Sequence, residues 1–122
     1  MIKRALVIDD IELVRETLKA MLEFLGFEAV VVENGAEALK KFTSTKKPFE
    51  VVFVDLVMPG MSGREVIQKL IELNPDIKAV ISSGYSDDPA IADYEKLGFK
   101  GVLNKPYTLN DLKKILQNLG LL

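Results

Sequence analysis

Five short apolar runs punctuate this chain, and none of them alternates polar with apolar residues. They are Ala5-Leu6-Val7-Ile8, Ala29-Val30-Val31-Val32, Val51-Val52-Phe53-Val54, Ala79-Val80-Ile81-Ser82 and Gly101-Val102-Leu103-Asn104. A strand with one wet face alternates, whereas a continuous apolar run is covered on both faces. Helical spacing fills the intervals. Ile11, Val14, Leu18, Met21, Leu22 and Leu25 mark a first helix stopped by Gly26, and Ala36, Leu39 and Phe42 a second, with Pro48 in the loop beyond. Ser62 with Glu65 opens a third as a capping box. Asp88 and Pro89 read as N-cap and N1 of a weakly apolar fourth helix ending near Gly98. Thr108 and Asp111 cap a fifth, bearing Leu112, Ile115, Leu116 and Leu119.

Strands joined through helices run parallel with right-handed crossovers, and strands apolar on both sides need helices on both faces. The expectation is an α/β fold, a three-layer α/β/α sandwich with a five-stranded parallel sheet and five helices. The last helix runs almost to Leu122, so residues 1–122 read as a single domain with no output domain after it. The 48% hydrophobic content is enough for a packed core.

Composition narrows the chemistry. The chain has neither cysteine nor histidine. That removes thiol chemistry, disulfides, zinc sites of the cysteine type and most hydrolase mechanisms. Sixteen basic and eighteen acidic residues are interspersed, giving a net charge of −2 and no footprint for direct nucleic-acid binding. The apolar run near the N-terminus is far too short for a signal peptide or a membrane span, so a cytoplasmic protein with no membrane insertion is expected.

In an open parallel sheet, ligands bind beyond the carboxyl ends of the strands. The first strand ends in Asp9-Asp10, the third in Asp55, the fourth in Ser82-Ser83 and the fifth in Asn104-Lys105-Pro106. Each has a plain structural explanation alone: Asp10 as a helix cap, Asp55 as a loop acid, the serines as turn formers, Lys105 as a solvated cation. Together they gather three acids, hydroxyls and an ammonium at one rim. Three close carboxylates repel unless a cation joins them. Oxygen ligands alone select a hard ion, Mg²⁺ or Mn²⁺, and Mg²⁺ commonly uses one or two carboxylates plus phosphate oxygens. Asp9 and Asp10 suit a metal-holding pair. Asp55, alone on the central strand, is the candidate nucleophile for an aspartyl phosphate. Phosphoryl transfer depends on positioning and charge neutralisation, and Lys105 and Ser83 are placed to supply the latter.

The segments Ile8-Asp9-Asp10, Val54-Asp55-Leu56-Val57-Met58-Pro59-Gly60-Met61-Ser62-Gly63, Ile81-Ser82-Ser83-Gly84 and Asn104-Lys105-Pro106 resemble the receiver domains of bacterial two-component systems, over essentially the whole chain. The resemblance implies a flavodoxin-like sheet in the order 2-1-3-4-5. It implies that Asp55 takes phosphate from a phosphohistidine on a histidine kinase or histidine phosphotransfer protein. Asp10, Asp55 and the Val57 carbonyl would bind Mg²⁺ directly, Mn²⁺ being able to substitute, with Asp9 acting through water. Ser83, followed by the small Gly84, matches the switch hydroxyl, and Lys105 the family's lysine, with a cis bond to Pro106. Ile11, Leu13 and Val14, beside Pro106, would dock the donor's helix. The Ser83-Gly84-Tyr85 and Lys105-Pro106-Tyr107 segments are similar to receivers of hybrid kinases.

One position departs from the family pattern. Three residues before the lysine, receivers often carry an aromatic switch residue, and here Val102 stands there. Tyr85 is the candidate to report phosphorylation instead. The expected function is a signalling phosphoacceptor and not an enzyme. Aspartyl-nucleophile phosphatases need an acid/base carboxylate two residues after the nucleophile, and Val57 holds that place. A flavin-binding module would have no use for three clustered acids.

Overall fold

The computed structural model describes residues 2–84 and 92–122. In chain order the described elements are β1 (Arg4–Ile8), α1 (Glu12–Phe24), β2 (Glu28–Val32), α2 (Gly35–Ser44), β3 (Val51–Val54), α3 (Gly63–Leu73), β4 (Lys78–Ser83), β5 (Gly101–Asn104) and α4 (Leu109–Asn118). The sheet order is β2-β1-β3-β4-β5, with every neighbouring pair parallel. This is the order implied by the family resemblance.

The two-residue period of the strands divides the apolar residues into two cores. Leu6, Ile8, Val52, Val54, Ala79 and Ile81 point to one face, against Ala38 of α2 and Val66, Ile67 and Leu70 of α3. Ala5, Val7, Val51, Phe53, Val80 and Leu103 point to the other, against Leu18 and Leu22 of α1 and Leu112, Ile115 and Leu116 of α4. All four residues of β3 are fully buried, as a central strand requires. Burying a side chain the size of Phe53 contributes about 1.5–3 kcal/mol.

Local signals fall where the sequence puts them. Ser62 and Glu65 form a complete capping box on α3, and Thr108 and Asp111 another on α4. Gly26 ends α1 with φ +92°, a backbone that suits glycine. Asn34 caps α2 by accepting from the Glu37 amide.

The expected count of five helices is corrected to four among the described residues. The fourth predicted helix opens at Asp88 and Pro89, which lie outside the described residues, as does Tyr85. The described end of that segment closes in tight turns: the Lys96 amide bonds the Asp93 carbonyl and the Gly98 amide the Glu95 carbonyl, three residues back in each case. Gly98, at φ +100°, then breaks the path toward β5.

Candidate functional site

The sheet delivers β1, β3, β4 and β5 to one rim, and the polar strand ends meet there. The Asp9, Asp10 and Asp55 side chains each offer an oxygen, and these oxygens lie within 4.8 Å of one another. The two neighbours just after β1 differ sharply. Asp9 is 1% exposed and Asp10 is on the surface. Asp10 does not cap α1. That helix begins without a side-chain cap, and it is Asp9 whose Oδ1 accepts the Ile11 amide at 3.0 Å.

Lys105 reaches this rim from the loop after β5. Its Nζ donates to Asp9 Oδ2 at 2.9 Å and to Asp55 Oδ2 at 3.5 Å. The backbone fixes the same loop, since the Lys105 amide donates to the Ser83 carbonyl at 2.8 Å. The Lys105–Pro106 bond is cis. Ser83, 1% exposed, ends β4, and its neighbour Ser82, 2% exposed, belongs to the opposite side of the strand. Asp55 receives a second polar contact from the Val57 amide, which donates to Oδ1 at 3.2 Å. The mouth of the pocket, roughly 450 Å³, is lined by Asp10, Ile11, Asp55, Val57, Gly84 and Lys105.

Burial is the largest influence on Asp55 and holds its carboxyl above the ordinary 3.8, although Lys105 and the Val57 amide draw it down. Burial by itself would lower the Lys105 ammonium. The hydrogen bond to Asp9 and the charges of Asp55 and Asp9 outweigh it and keep the ammonium above 10.5. Lys105 is therefore charged at neutral pH, and it answers two of the three acids. Asp9 has both oxygens engaged, whereas Asp10 faces solvent. That leaves a donor set of carboxylate oxygens, with the Val57 carbonyl nearby in sequence, which fits a small hard divalent cation such as Mg²⁺.

Two contributors to the site were not singled out in the sequence. Arg15 reaches back from α1 and donates from Nη1 to the Asp9 carbonyl at 2.8 Å. Its signal was a cation early in the helix that follows an acid pair. Gly63 packs directly on the Asp55 backbone, and the only hint was its place in the Pro59–Gly63 loop.

Residues 5–117 match the response regulator receiver domain family. The chain belongs to that family, a signalling module of two-component systems. It is similar to the chemotaxis protein CheY of Thermotoga maritima, 31% identical over 106 residues that cover 86% of this chain and 87% of CheY. It is 32% identical to the response regulator receiver protein CpdR of Brucella abortus, with 90% of each chain covered. It also matches part of the autoinducer 1 sensor kinase/phosphatase LuxN of Vibrio harveyi, 33% identical over 93% of this chain and 13% of LuxN. Among solved structures, the response regulator TrrA of Thermotoga maritima, crystallised in complex with Mg²⁺-BeF, superposes with a TM-score of 0.85 at 35% identity, covering 97% of this chain and 99% of TrrA.

No helix among the described residues is long and apolar enough to cross a membrane.

Proposed function

We propose that this chain, as one receiver domain over residues 1–122, accepts a phosphoryl group on Asp55 and passes the signal on through a shift in conformation. The observation that carries this reading is the Lys105 ammonium set between two buried carboxylates, 2.9 Å from Asp9 and 3.5 Å from Asp55, with Asp10 open beside them. In the transfer, an Asp55 carboxylate oxygen attacks phosphorus as the bond from phosphorus to the donor's histidine nitrogen breaks. The imidazole leaves with the electron pair. Lys105 turns its charge to a phosphoryl oxygen, and the Ser83 hydroxyl donates to another. Bound by Asp10, Asp55 and the Val57 carbonyl, with Asp9 acting through water, Mg²⁺ (or Mn²⁺ in its place) would neutralise charge on the transferring group. Val57 offers no side-chain acid or base, which supports a stable acceptor over an enzyme that turns over phosphoesters.

The donor is a histidine kinase or a histidine phosphotransfer protein. Ile11 and Leu13 are 51% and 76% exposed. Leu13 and Val14 form an apolar groove with Thr17, Pro106 and Tyr107 next to Lys105, a place for a donor helix to lie with its histidine over the acids. Balanced surface charge supports a protein partner and not nucleic acid, and the reading places the domain in the cytoplasm. The test is incubation with acetyl phosphate and Mg²⁺, followed by intact mass. One phosphate adduct is expected, absent in Asp55→Asn and absent with EDTA. An adduct that persists in Asp55→Asn refutes the assignment.

A further inference from the structure

Behind the acid pocket, on the side of the sheet covered by α1 and α4, lie two buried hydroxyls that the phosphoacceptor reading does not use. Ser82 Oγ and Tyr107 Oη are both buried and have no hydrogen-bond partner among the described residues. They stand beside each other. Burial raises the phenol's pKa, and the Ser82 hydroxyl acts on it in the opposite direction without reaching hydrogen-bond geometry. Their surroundings are otherwise apolar: Val80 precedes Ser82 on the same face, Leu103 joins it from β5, and the Tyr107 ring packs on this core. A core built for stability alone would place alanine and phenylalanine here, because each buried hydroxyl left without a partner is costly.

The placement of the two residues gives the hydroxyls a use. Ser82 immediately precedes Ser83, whose carbonyl accepts the Lys105 amide. Tyr107 follows Lys105 by two residues. The pair therefore spans the same junction as that backbone bond, between the end of β4 and the loop carrying Lys105. Lys105 in turn has to meet Asp9 and Asp55 together, and a reacting group displaced by about 1 Å loses rate on the order of a hundredfold.

We propose that Ser82 and Tyr107 pair hydroxyl to hydroxyl as a buried clamp that fixes the Lys105 loop on β4, which makes both of them positioning residues for phosphoryl transfer. The kinetic part of this proposal rests on the phosphoacceptor reading; the clamp itself does not. Paired hydroxyls show a characteristic asymmetry: removing one leaves the other stranded, whereas removing both is nearly neutral.

The experiment compares Ser82→Ala, Tyr107→Phe and the double variant in the full chain. Melting temperature, the rate of phosphoryl uptake from acetyl phosphate at saturating Mg²⁺, and hydrogen exchange of the Lys105 amide are measured for each. Each single variant is expected to melt below the parent, and the double variant to recover. All three variants should take up phosphate about tenfold more slowly, and their Lys105 amides should exchange about tenfold faster, with the Phe53 amide in β3 unchanged. Slow transfer in a double variant whose melting temperature has recovered is the result that a merely structural role cannot produce. Single variants that melt higher than the parent, with exchange and rate unchanged, overturn the clamp. If the parent takes up no phosphate, the proposed function fails, and melting and Lys105 exchange still decide the clamp.

Discussion

Gly63 packs so tightly on Asp55 that a Cβ placed on the glycine would stand 2.4 Å from the Asp55 carbonyl oxygen and 2.9 Å from the Leu56 Cα. Both atoms are backbone, so neither can turn aside. The start of α3 is thereby pressed against the residue that presents the central carboxylate, and the Gly63 amide bonds the Leu56 carbonyl across the same contact. Gly63→Ala is expected to destabilise the fold by about 1–3 kcal/mol, the usual cost of overpacking, and to slow phosphoryl uptake by displacing Asp55. Urea denaturation together with the acetyl phosphate rate measures both. An alanine variant with the parent's midpoint would show that the junction yields freely.

Asp10 is the exposed member of the acid group and makes no hydrogen bond or ion pair among the described residues that a substitution would break. Asp10→Asn should leave the metal-free melting temperature close to that of the parent. Mg²⁺ bound only by the folded state raises stability by mass action, so Mg²⁺ should raise the parent's melting temperature, and EDTA should reverse the rise. In Asp10→Asn the Mg²⁺-dependent rise should largely vanish. A titration of melting temperature against Mg²⁺ concentration reads the difference, and an undiminished rise would take Asp10 out of the metal site.

Asp55 gives a pH signature with a definite sign. Its carboxyl is held above 3.8 in the folded protein, burial being the main cause. The folded state therefore binds this proton more tightly than the unfolded chain. The associated stability is present below pH 3.8 and is lost as pH rises through the folded-state pKa. Asp55→Asn, a neutral stand-in for the protonated acid, should be more stable than the parent at neutral pH in EDTA, with the gap closing as pH falls toward 3.8. Denaturant midpoints across that range provide the check. A gap that widens on acidification would mean that Lys105, and not burial, governs this carboxyl.

Arg4 acts at the opposite end of the strands. Its Nη1 donates to Thr45 Oγ1 and to the Lys47 carbonyl, both at 2.6 Å, and its guanidinium lies 4.4 Å from the centre of the Phe49 ring. Its backbone amide also bonds the Glu50 carboxylate. The loop between α2 and β3 is thus fastened to the start of β1. Arg4→Ala should cost about 2 kcal/mol from two hydrogen bonds and a cation–π contact. Phosphoryl uptake at a temperature where the variant is fully folded should be unchanged, because the loss is remote from the acids. A large fall in rate without a fall in stability would contradict that separation.

Much of this protein was legible in one dimension. Short, β-branched apolar runs such as Val51-Val52-Phe53-Val54 read as strands covered on both sides, and capping pairs such as Ser62 with Glu65 mark helix starts, because these signals depend on residues within a few positions of one another. The chemistry at each strand end was equally local. The fourth helix was read from a weaker apolar pattern, and its described end, stopped by Gly98, shows turns.

What the sequence could not contain was distance and direction. Asp9 and Asp10 are the same residue side by side, yet the strand's two-residue alternation and the approach of Lys105 make one a buried ion-pair partner and leave the other open to solvent. Lys105 is 96 residues from Asp9 and 50 from Asp55 along the chain, and only the stacking of β1, β3, β4 and β5 in one sheet brings the three together. The same folding bonds the Lys105 amide to the Ser83 carbonyl and sets Ser82 beside Tyr107. Local sequence decided which elements form; the closing of long loops by parallel strand pairing decided which side chains meet.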